Sequence, residues 1–190
     1  LSKRAATPEI GEKLYGMIKD HTAFVKEALG PFASMVISPG NIEGGLSNIT
    51  EKSLGCIIKG GTSPVNEVVD YGAEPSAGGL VIMDTPGSDI FSLTGMAAGG
   101  AQIMLFTTGR GSPVGFPIVP VVKIASNSEL FNMMEDDMDV NAGRLLEGVS
   151  IGDAGDELVD LIKRVVEGEQ PKAEMNRQDC LSIQTVGPAF

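Results

Sequence analysis

The sequence predicts an α/β fold: a mostly parallel sheet with helices on both faces, in a Rossmann-like three-layer arrangement. Two runs typical of buried strands, at residues 80–83 and 102–106, flank a helical pattern of small residues at 90–98. This order is typical of a right-handed crossover between parallel strands. A further apolar strand at 119–124 follows a glycine-rich loop. We expect residues 1–190 to form one α/β domain, because 42% apolar residues in a chain of this length suffice for one core.

The amino-terminal helix is predicted by residues at both of its ends. Thr7 precedes a proline at the first helical position, and apolar residues then recur at helical spacing up to Leu29. Gly30 and Pro31 end the helix. The same kinds of signal predict a strand at 35–37, helices at 48–58, 63–71 and 156–166, a helical turn at 140–146, a linker at 167–178 and an edge strand at 181–186.

Charge and hydropathy exclude several classes of partner. Twenty-five acidic residues against fourteen basic ones give a net charge of -11, the wrong sign for a surface that collects phosphate backbones or anionic lipid. We therefore expect neither nucleic acid nor a membrane as a partner. The longest weakly polar stretch, 93–106, is shorter than the roughly 18 residues that a membrane span requires. Two cysteines without CxxC spacing fit a reducing, cytoplasmic setting.

The single histidine, His21, restricts the chemistry that this chain performs by itself. A Ser-His-Asp group, an HExxH zinc helix or a two-histidine iron site would need residues from another chain or segment. His21 lies midway along an amphipathic helix, where we expect a surface or packing residue. The sequence begins at Leu1 without a starting methionine or a signal-peptide pattern, so we expect a processed chain or a piece of a longer protein.

The loop after Phe106 is the first candidate site. Ligands of open parallel α/β sheets bind beyond the carboxyl ends of the strands, and this loop reads Thr107-Thr108-Gly109-Arg110-Gly111. Hydroxyls, a fixed charge that grips a carboxylate with two hydrogen bonds, and glycines that admit backbone N–H groups are the parts of an anion site. The alternative is a glycine-rich turn whose Arg110 is solvated or paired with a surface carboxylate.

The predicted helix at 48–58 is the second candidate, and its start is indicated by the capping-box spacing of Asn48 and Glu51. Lys52 and Cys56 lie four residues apart on this helix and therefore share a face. A desolvated lysine acts as a general base, and a thiolate binds iron. Spacing by itself favours the alternative, an ordinary surface lysine and a buried structural cysteine.

An acidic run at 135–141 is the third candidate. Asp137, Asp139 and Asn141 match the first three ligand positions of a calcium loop, but Ala142 replaces the required glycine and Gly148 the closing glutamate. The EF-hand interpretation therefore fails. A looser divalent-cation site or a solvated acidic turn remains, and the second is the commoner outcome for a run of charges.

Five motifs, taken together in this order, resemble the carboxyl-terminal half of the altronate and D-galactarate dehydratase family, which includes the large subunit of sulfolactate sulfo-lyase. The resemblance runs from about Ser38 to the end. It implies a hydro-lyase that removes water from a sugar acid to give a 2-keto-3-deoxy acid, assisted by a divalent metal, Fe2+ or alternatively Mn2+. The motifs are Ser38-Pro39-Gly40-Asn41, Glu51-Lys52-Ser53-Leu54-Gly55-Cys56, Lys59-Gly60-Gly61-Thr62-Ser63-Pro64, Phe106-Thr107-Thr108-Gly109-Arg110-Gly111 and Asp139-Val140-Asn141-Ala142-Gly143.

The resemblance assigns roles to residues of this chain. Such a dehydration needs a base beside the carboxylate, a cation to hold the enolate and an acid for the leaving hydroxyl. We expect Lys52 to be the base, and Glu51 and Cys56 to be neighbours of the metal. The residues expected to bind the substrate are Asn41, Thr107, Thr108, Gly109 and Arg110.

The resemblance also bears on partners. Family members are much longer, so we expect an amino-terminal half of the same enzyme as a partner and no activity from this chain alone. Two alternatives stay open: carbon–sulfur lysis of sulfolactate, and a non-catalytic module that binds a small organic anion. The small-residue run at 97–100 permits close packing against a helix or against a second copy in a homo-oligomer.

Overall fold

The computed structural model describes residues 1–31, 42–43, 45–47 and 49–183. The chain divides into two compact units, the first being Leu1–Thr85 and the second beginning at Pro86. The expectation of one domain stays a prediction, and each unit is described by itself below. No helix in the described ranges combines the length and the apolar character that crossing a membrane requires.

The described residues form both helices and strands. The helices are α1 (Pro8–Leu29), α2 (Ile49–Lys59), α3 (Asp89–Ala98), α4 (Ser128–Met133), α5 (Ile151–Val166) and α6 (Lys172–Met175), with short 3-10 helices at Ser2–Arg4 and Ala142–Glu147. The strands are β1 (Val65–Val69), β2 (Leu80–Met83), β3 (Met104–Thr108), β4 (Val121–Ala125) and β5 (Val140–Asn141).

The first unit packs α1 on a parallel pair formed by β1 and β2. Leu14 of α1 is buried against Val65 and Val68 of β1. The Thr7 hydroxyl accepts a hydrogen bond from the Ile10 N–H at the start of α1, and the helix ends at Gly30. The helix predicted from these end signals is therefore confirmed.

The helix predicted at 63–71 is wrong, because Val65–Val69 form strand β1, which pairs in parallel with β2. Valines are β-branched and suit a strand, and pairing with β2 leaves Val65 and Val68 buried. The Glu67 carboxylate accepts hydrogen bonds from the Ser76 and Ala77 N–H groups, which fastens the following loop to β1. Long-range pairing thus prevails over the local Ser-Pro capping signal.

The second unit contains a parallel sheet in the order β3-β4-β5. Strand β4 lies in the centre and all five of its residues are buried. Leu93 of α3 packs in one core cluster with Met104 and Val121, and Leu130 of α4 packs with Ala125 in another. The expected strands and the helix between them are present, each displaced by at most two residues.

These elements confirm an α/β fold with parallel sheets. The described strands form two small sheets, and β2 and β3 belong to different ones, so α3 does not connect neighbours of one sheet. The Rossmann-like three-layer arrangement stays a prediction. Ala97 of the small-residue run packs against the core of its own unit.

The carboxyl-terminal third differs from expectation at several points. The predicted helical turn at 140–146 is confirmed from Ala142 onward as a 3-10 helix, whereas Val140–Asn141 form strand β5. Helix α5 begins at Ile151, earlier than the predicted 156, and Ser150 caps it. The predicted linker at 167–178 contains α6. Leu181–Ile183 are not in a strand, and the rest of that predicted edge strand lies outside the described residues, as does the strand predicted at 35–37.

Candidate functional site

The turn that bears Arg110 lies at the carboxyl end of β3. Thr107 and Thr108 are the last residues of that strand, and Gly109-Arg110-Gly111 forms the turn. The Thr108 hydroxyl oxygen accepts a hydrogen bond from the Gly111 N–H at 3.0 Å. Gly111 has a φ of +88°, which side-chain-bearing residues rarely adopt. Residues of the motif itself, Thr108 and Gly111, therefore close this turn, as the glycine-rich motif predicts.

Helix α4 braces the same turn from outside. The Asn127 side-chain amide donates a hydrogen bond to the Gly109 carbonyl oxygen at 3.2 Å, while its own oxygen accepts one from the Leu130 N–H at 2.7 Å and caps α4. A Cβ atom on Gly111 would overlap the Met134 sulfur, so the backbone of Gly111 lies directly against α4. The turn is thus held by both the strand and the helix.

The Arg110 side chain is exposed at the tip of this turn. Within the described ranges its guanidinium forms no ion pair or hydrogen bond, which leaves the predicted alternative of a solvated arginine but not that of a paired one. Thr107 and Thr108 are consecutive in a strand, so their side chains lie on opposite faces of the sheet. Only the Thr108 hydroxyl belongs to the Arg110 turn.

The other predicted site residues lie in the first unit. Lys52 and Cys56 are one turn apart on α2, as predicted, and their side chains lie outside the described part, as does the whole of Asn41. The Glu51 carboxylate accepts hydrogen bonds from the Ser47 hydroxyl at 2.6 Å and from the Ser47 N–H at 2.8 Å. These two bonds lower the pKa of Glu51 and so favour its ionised form.

Lys52 and Arg110 belong to different units. The expectation that they act on one substrate therefore stays a prediction, and so do the metal neighbours Glu51 and Cys56.

Sequence reasoning missed Lys123, which is fully buried in the middle of β4. Its ammonium donates a hydrogen bond to the Gln178 side-chain oxygen at 2.6 Å and lies 3.9 Å from the Asp137 carboxylate. Burial lowers the pKa of Lys123, while Asp137 and Asp139 act in the opposite direction. The available signal was a lysine inside an otherwise apolar strand, since such a charge is rarely buried without a partner.

The acidic run at 135–141 supplies carboxylates that interact with Lys123. The expectation of a solvated turn is therefore wrong for Asp137 and Asp139. The Asp139 carboxylate accepts hydrogen bonds from two backbone amides, the N–H of Lys123 at 2.7 Å and the N–H of Lys172 at 2.8 Å. The Gln178 amide donates to Asp137. The run therefore fastens the segment around α6 onto β4.

The structure also bears on the looser cation site proposed for this run. Asn141 caps the following 3-10 helix by accepting a hydrogen bond from the Gly143 N–H. In the described part of the chain, no three histidine, cysteine or acidic residues are grouped so as to hold a metal ion.

The fold and the braced turn define an α/β chain that presents an exposed arginine, unpaired among the described residues, beyond the end of a parallel strand, an arrangement suited to a small anion. The chain belongs to the D-galactarate/altronate dehydratase family: residues 1–189 match the family model described as "D-galactarate/Altronate dehydratase, C-terminal". The family expected from the five motifs is therefore confirmed.

Curated relatives agree with this assignment. The chain is 43% identical to the altronate dehydratase of Bacillus subtilis over 77% of its length, and 38% identical to the galactarate dehydratase (L-threo-forming) of Escherichia coli over 90%. It is 32% identical to the (2R)-sulfolactate sulfo-lyase subunit beta of Chromohalobacter salexigens over 92%. The aligned part makes up only 29% and 32% of the two dehydratases and 46% of the sulfo-lyase subunit.

Proposed function

We propose that this chain is the carboxyl-terminal, substrate-binding part of a hydro-lyase that dehydrates altronate or galactarate to a 2-keto-3-deoxy acid. The observation that carries the proposal is the exposed Arg110 guanidinium on a turn braced by β3 and α4. The names of the relatives support the substrate class. A cytoplasmic setting and a three-layer arrangement of the sheet remain parts of this proposal.

The chemistry of dehydration explains why a fixed arginine is useful. The reaction breaks the C–H bond next to a carboxylate and the C–O bond of the neighbouring carbon, so negative charge spreads onto the carboxylate as the proton leaves. Arg110 would hold that carboxylate with two parallel hydrogen bonds, both in the bound substrate and as charge develops. The Thr108 oxygen already accepts a bond from Gly111, and its own O–H remains available to donate to the substrate.

The proposed base and the proposed neighbours of the metal belong to the first unit. Lys52 stands on α2 as the proposed base, a role that requires desolvation to lower its pKa. A divalent ion, Fe2+ or Mn2+, would act as a Lewis acid, and Glu51 and Cys56 are its proposed neighbours. The described residues do not by themselves fit a metal cage. We therefore assign the remaining ligands to the amino-terminal half of the enzyme and route no step through the ion.

Two alternatives have specific support. The sulfolactate sulfo-lyase relative supports carbon–sulfur lysis, in which Arg110 would hold a carboxylate or a sulfonate. A non-catalytic module is supported only by the exposed Arg110, which is unpaired in the described part of the chain. Such a module would bind organic anions through Arg110 without a metal, and would show no turnover even with the amino-terminal half present.

A substrate panel tests the proposal. Altronate, galactarate and sulfolactate are incubated with added ferrous iron and either this chain alone or the chain joined to an amino-terminal half, and the keto-acid product and sulfite are measured. We expect keto acid from altronate or galactarate with the joined protein and no product with the chain alone. Turnover by the chain alone would show that it is catalytically complete, and sulfite release would favour the sulfo-lyase.

Replacing Arg110 tests the anion grip in the joined protein. Arg110→Ala removes a charge-assisted interaction of about 1.5–3 kcal/mol, so kcat/KM falls roughly ten- to a hundredfold. Arg144→Ala is the matched control, because Arg144 is also a partly exposed arginine of the second unit but is paired with Glu157 at 2.8 Å. We expect the control to change kcat/KM less than about twofold, since exposed pairs contribute little. Equal effects of the two substitutions would refute the assigned role of Arg110.

A further inference from the structure

We infer that Asn127 is a positioning residue for the substrate arginine: its side-chain amide fixes the peptide plane from which Arg110 projects. The inference rests on the proposed function, since it takes Arg110 as the group that holds the substrate carboxylate. It adds a residue from a different part of the sequence, 18 positions beyond Gly109 and at the start of α4.

The hydrogen bond from Asn127 is made to the backbone of the Arg110 turn itself. The Asn127 Nδ2 atom donates to the carbonyl oxygen of Gly109, and that carbonyl shares one planar peptide group with the N–H of Arg110. Glycine leaves this peptide plane free to rotate about its own backbone torsions. A hydrogen bond to the Gly109 carbonyl oxygen therefore restricts the backbone rotation that would move the Arg110 Cα atom and redirect the start of its side chain.

The Asn127 side chain makes two bonds, and only one of them is needed to start α4. Its Oδ1 atom accepts from the Leu130 N–H at 2.7 Å, a capping bond that serine or aspartate also makes. The bond to Gly109 uses the Nδ2 donor, which neither of those residues has. Asparagine is thus the cap that joins the helix to the turn.

Asn141 provides the contrast within the same unit. Its Oδ1 atom also caps a helix, by accepting a hydrogen bond from the backbone N–H of Gly143 at 3.0 Å. Its Nδ2 atom donates to the Ser128 hydroxyl oxygen at 3.1 Å, not to the Arg110 turn. Asn141 is therefore a capping asparagine without the positioning contact, which makes it a suitable control.

The test is a double-mutant cycle in the full-length enzyme that contains this chain, with KM, kcat and calorimetric Kd measured for galactarate and altronate. Asn127→Ser keeps a capping oxygen and loses the bond to Gly109. We expect KM and Kd to rise about fivefold, the equivalent of about 1 kcal/mol, with kcat within twofold. In the Arg110→Ala background the same substitution should change neither value, because Asn127 acts only through Arg110.

Two further variants make the cycle specific. Asn127→Asp also retains the cap but places a carboxylate oxygen opposite the Gly109 carbonyl, so KM should rise more than with serine. It also serves if the serine variant fails to fold. Asn141→Ser should leave KM within twofold of the unmodified enzyme. Melting temperatures of all variants show whether the α4 cap is preserved.

The outcomes separate the inference from the function on which it rests. An unchanged KM in both Asn127 variants overturns the inference and leaves Arg110 as the grip. An equal rise in KM with and without Arg110 assigns Asn127 a purely structural role and also overturns it. If Arg110→Ala itself changes neither KM nor Kd, the proposed grip is wrong and the role of Asn127 is lost with it.

Discussion

Replacing Asp137 by asparagine tests whether this carboxylate stabilises the charge of Lys123 in the core of the second unit. Lys123 is fully buried, and its ammonium lies 3.9 Å from the Asp137 carboxylate, whose side chain is 23% exposed. At an effective dielectric constant of about 20, a pair at this distance attracts by about 4 kcal/mol. Asparagine has nearly the shape of aspartate, so the substitution removes the charge and leaves the packing almost unchanged.

The expected loss of stability is smaller than the full attraction. Asp139 still lies near Lys123, and Gln178 still accepts a hydrogen bond from the ammonium. We therefore expect Asp137→Asn to lower the free energy of unfolding by about 2–3 kcal/mol, just below the 3–5 kcal/mol typical of a broken buried pair. For a chain of this size that is a fall in melting temperature of about 4–12 °C.

Urea unfolding of the 190-residue chain, followed by circular dichroism, measures the effect. Asp136→Asn is the control, because the Asp136 carboxylate takes part in no described hydrogen bond or ion pair, and we expect a change below about 0.5 kcal/mol. Adding Lys123→Met to Asp137→Asn removes the orphaned charge and should restore most of the loss. A change below about 0.5 kcal/mol in Asp137→Asn, or a double variant that loses more than the single one, would refute this account of the buried lysine.

Two other predictions concern the turn and the same lysine. Gly111→Ala places a side chain at a positive φ and forces the flexible Met134 side chain to move, so we expect a loss of about 1–3 kcal/mol in urea unfolding. Gly148→Ala shares the positive φ but meets no atom within 4 Å, and a loss as large as that of Gly111→Ala would show that packing against α4 is unimportant. The second prediction is a pH dependence. Burial lowers the pKa of Lys123 from 10.5, so between the lowered value and 10.5 the unfolded chain binds more protons than the folded one. The unfolding free energy of the unmodified chain minus that of Lys123→Met should therefore rise as the pH increases through this window, and a flat or falling difference would contradict the assigned cause.

Local signals in the sequence predicted a large part of the fold. Thr7, Pro8 and Gly30 define the ends of α1 by interactions within a few residues, and the structure confirms them. The Arg110 turn was predictable for the same reason, because its closing bond joins residues only three apart. The Rossmann-like arrangement and the joint action of Lys52 and Arg110 stay predictions, since the chain divides into two units.

The errors concern residues whose partners are distant in sequence. Strand β1 was predicted as a helix because its pairing with β2, about fifteen residues away, is not visible in the local pattern. The segment around α6 was predicted as a linker, although Lys172 bonds to Asp139, 33 residues before it. Asn127 gave no functional signal, because its bond to Gly109 depends on β4 lying beside β3.

The sequence by itself determined the family, the parallel α/β character and the chemical groups of the turn that we propose as an anion site, because these are expressed in the order and kind of neighbouring residues. Tertiary structure alone decided which charges are buried and which remain free. The Lys123 ammonium pairs with the Asp137 carboxylate and donates a hydrogen bond to the side chain of Gln178, 55 residues away. The Arg110 guanidinium, in contrast, forms no ion pair among the described residues. The physical reason is that solvation and partnership depend on what the folded chain brings within a few ångströms, not on the identity of the charged residue.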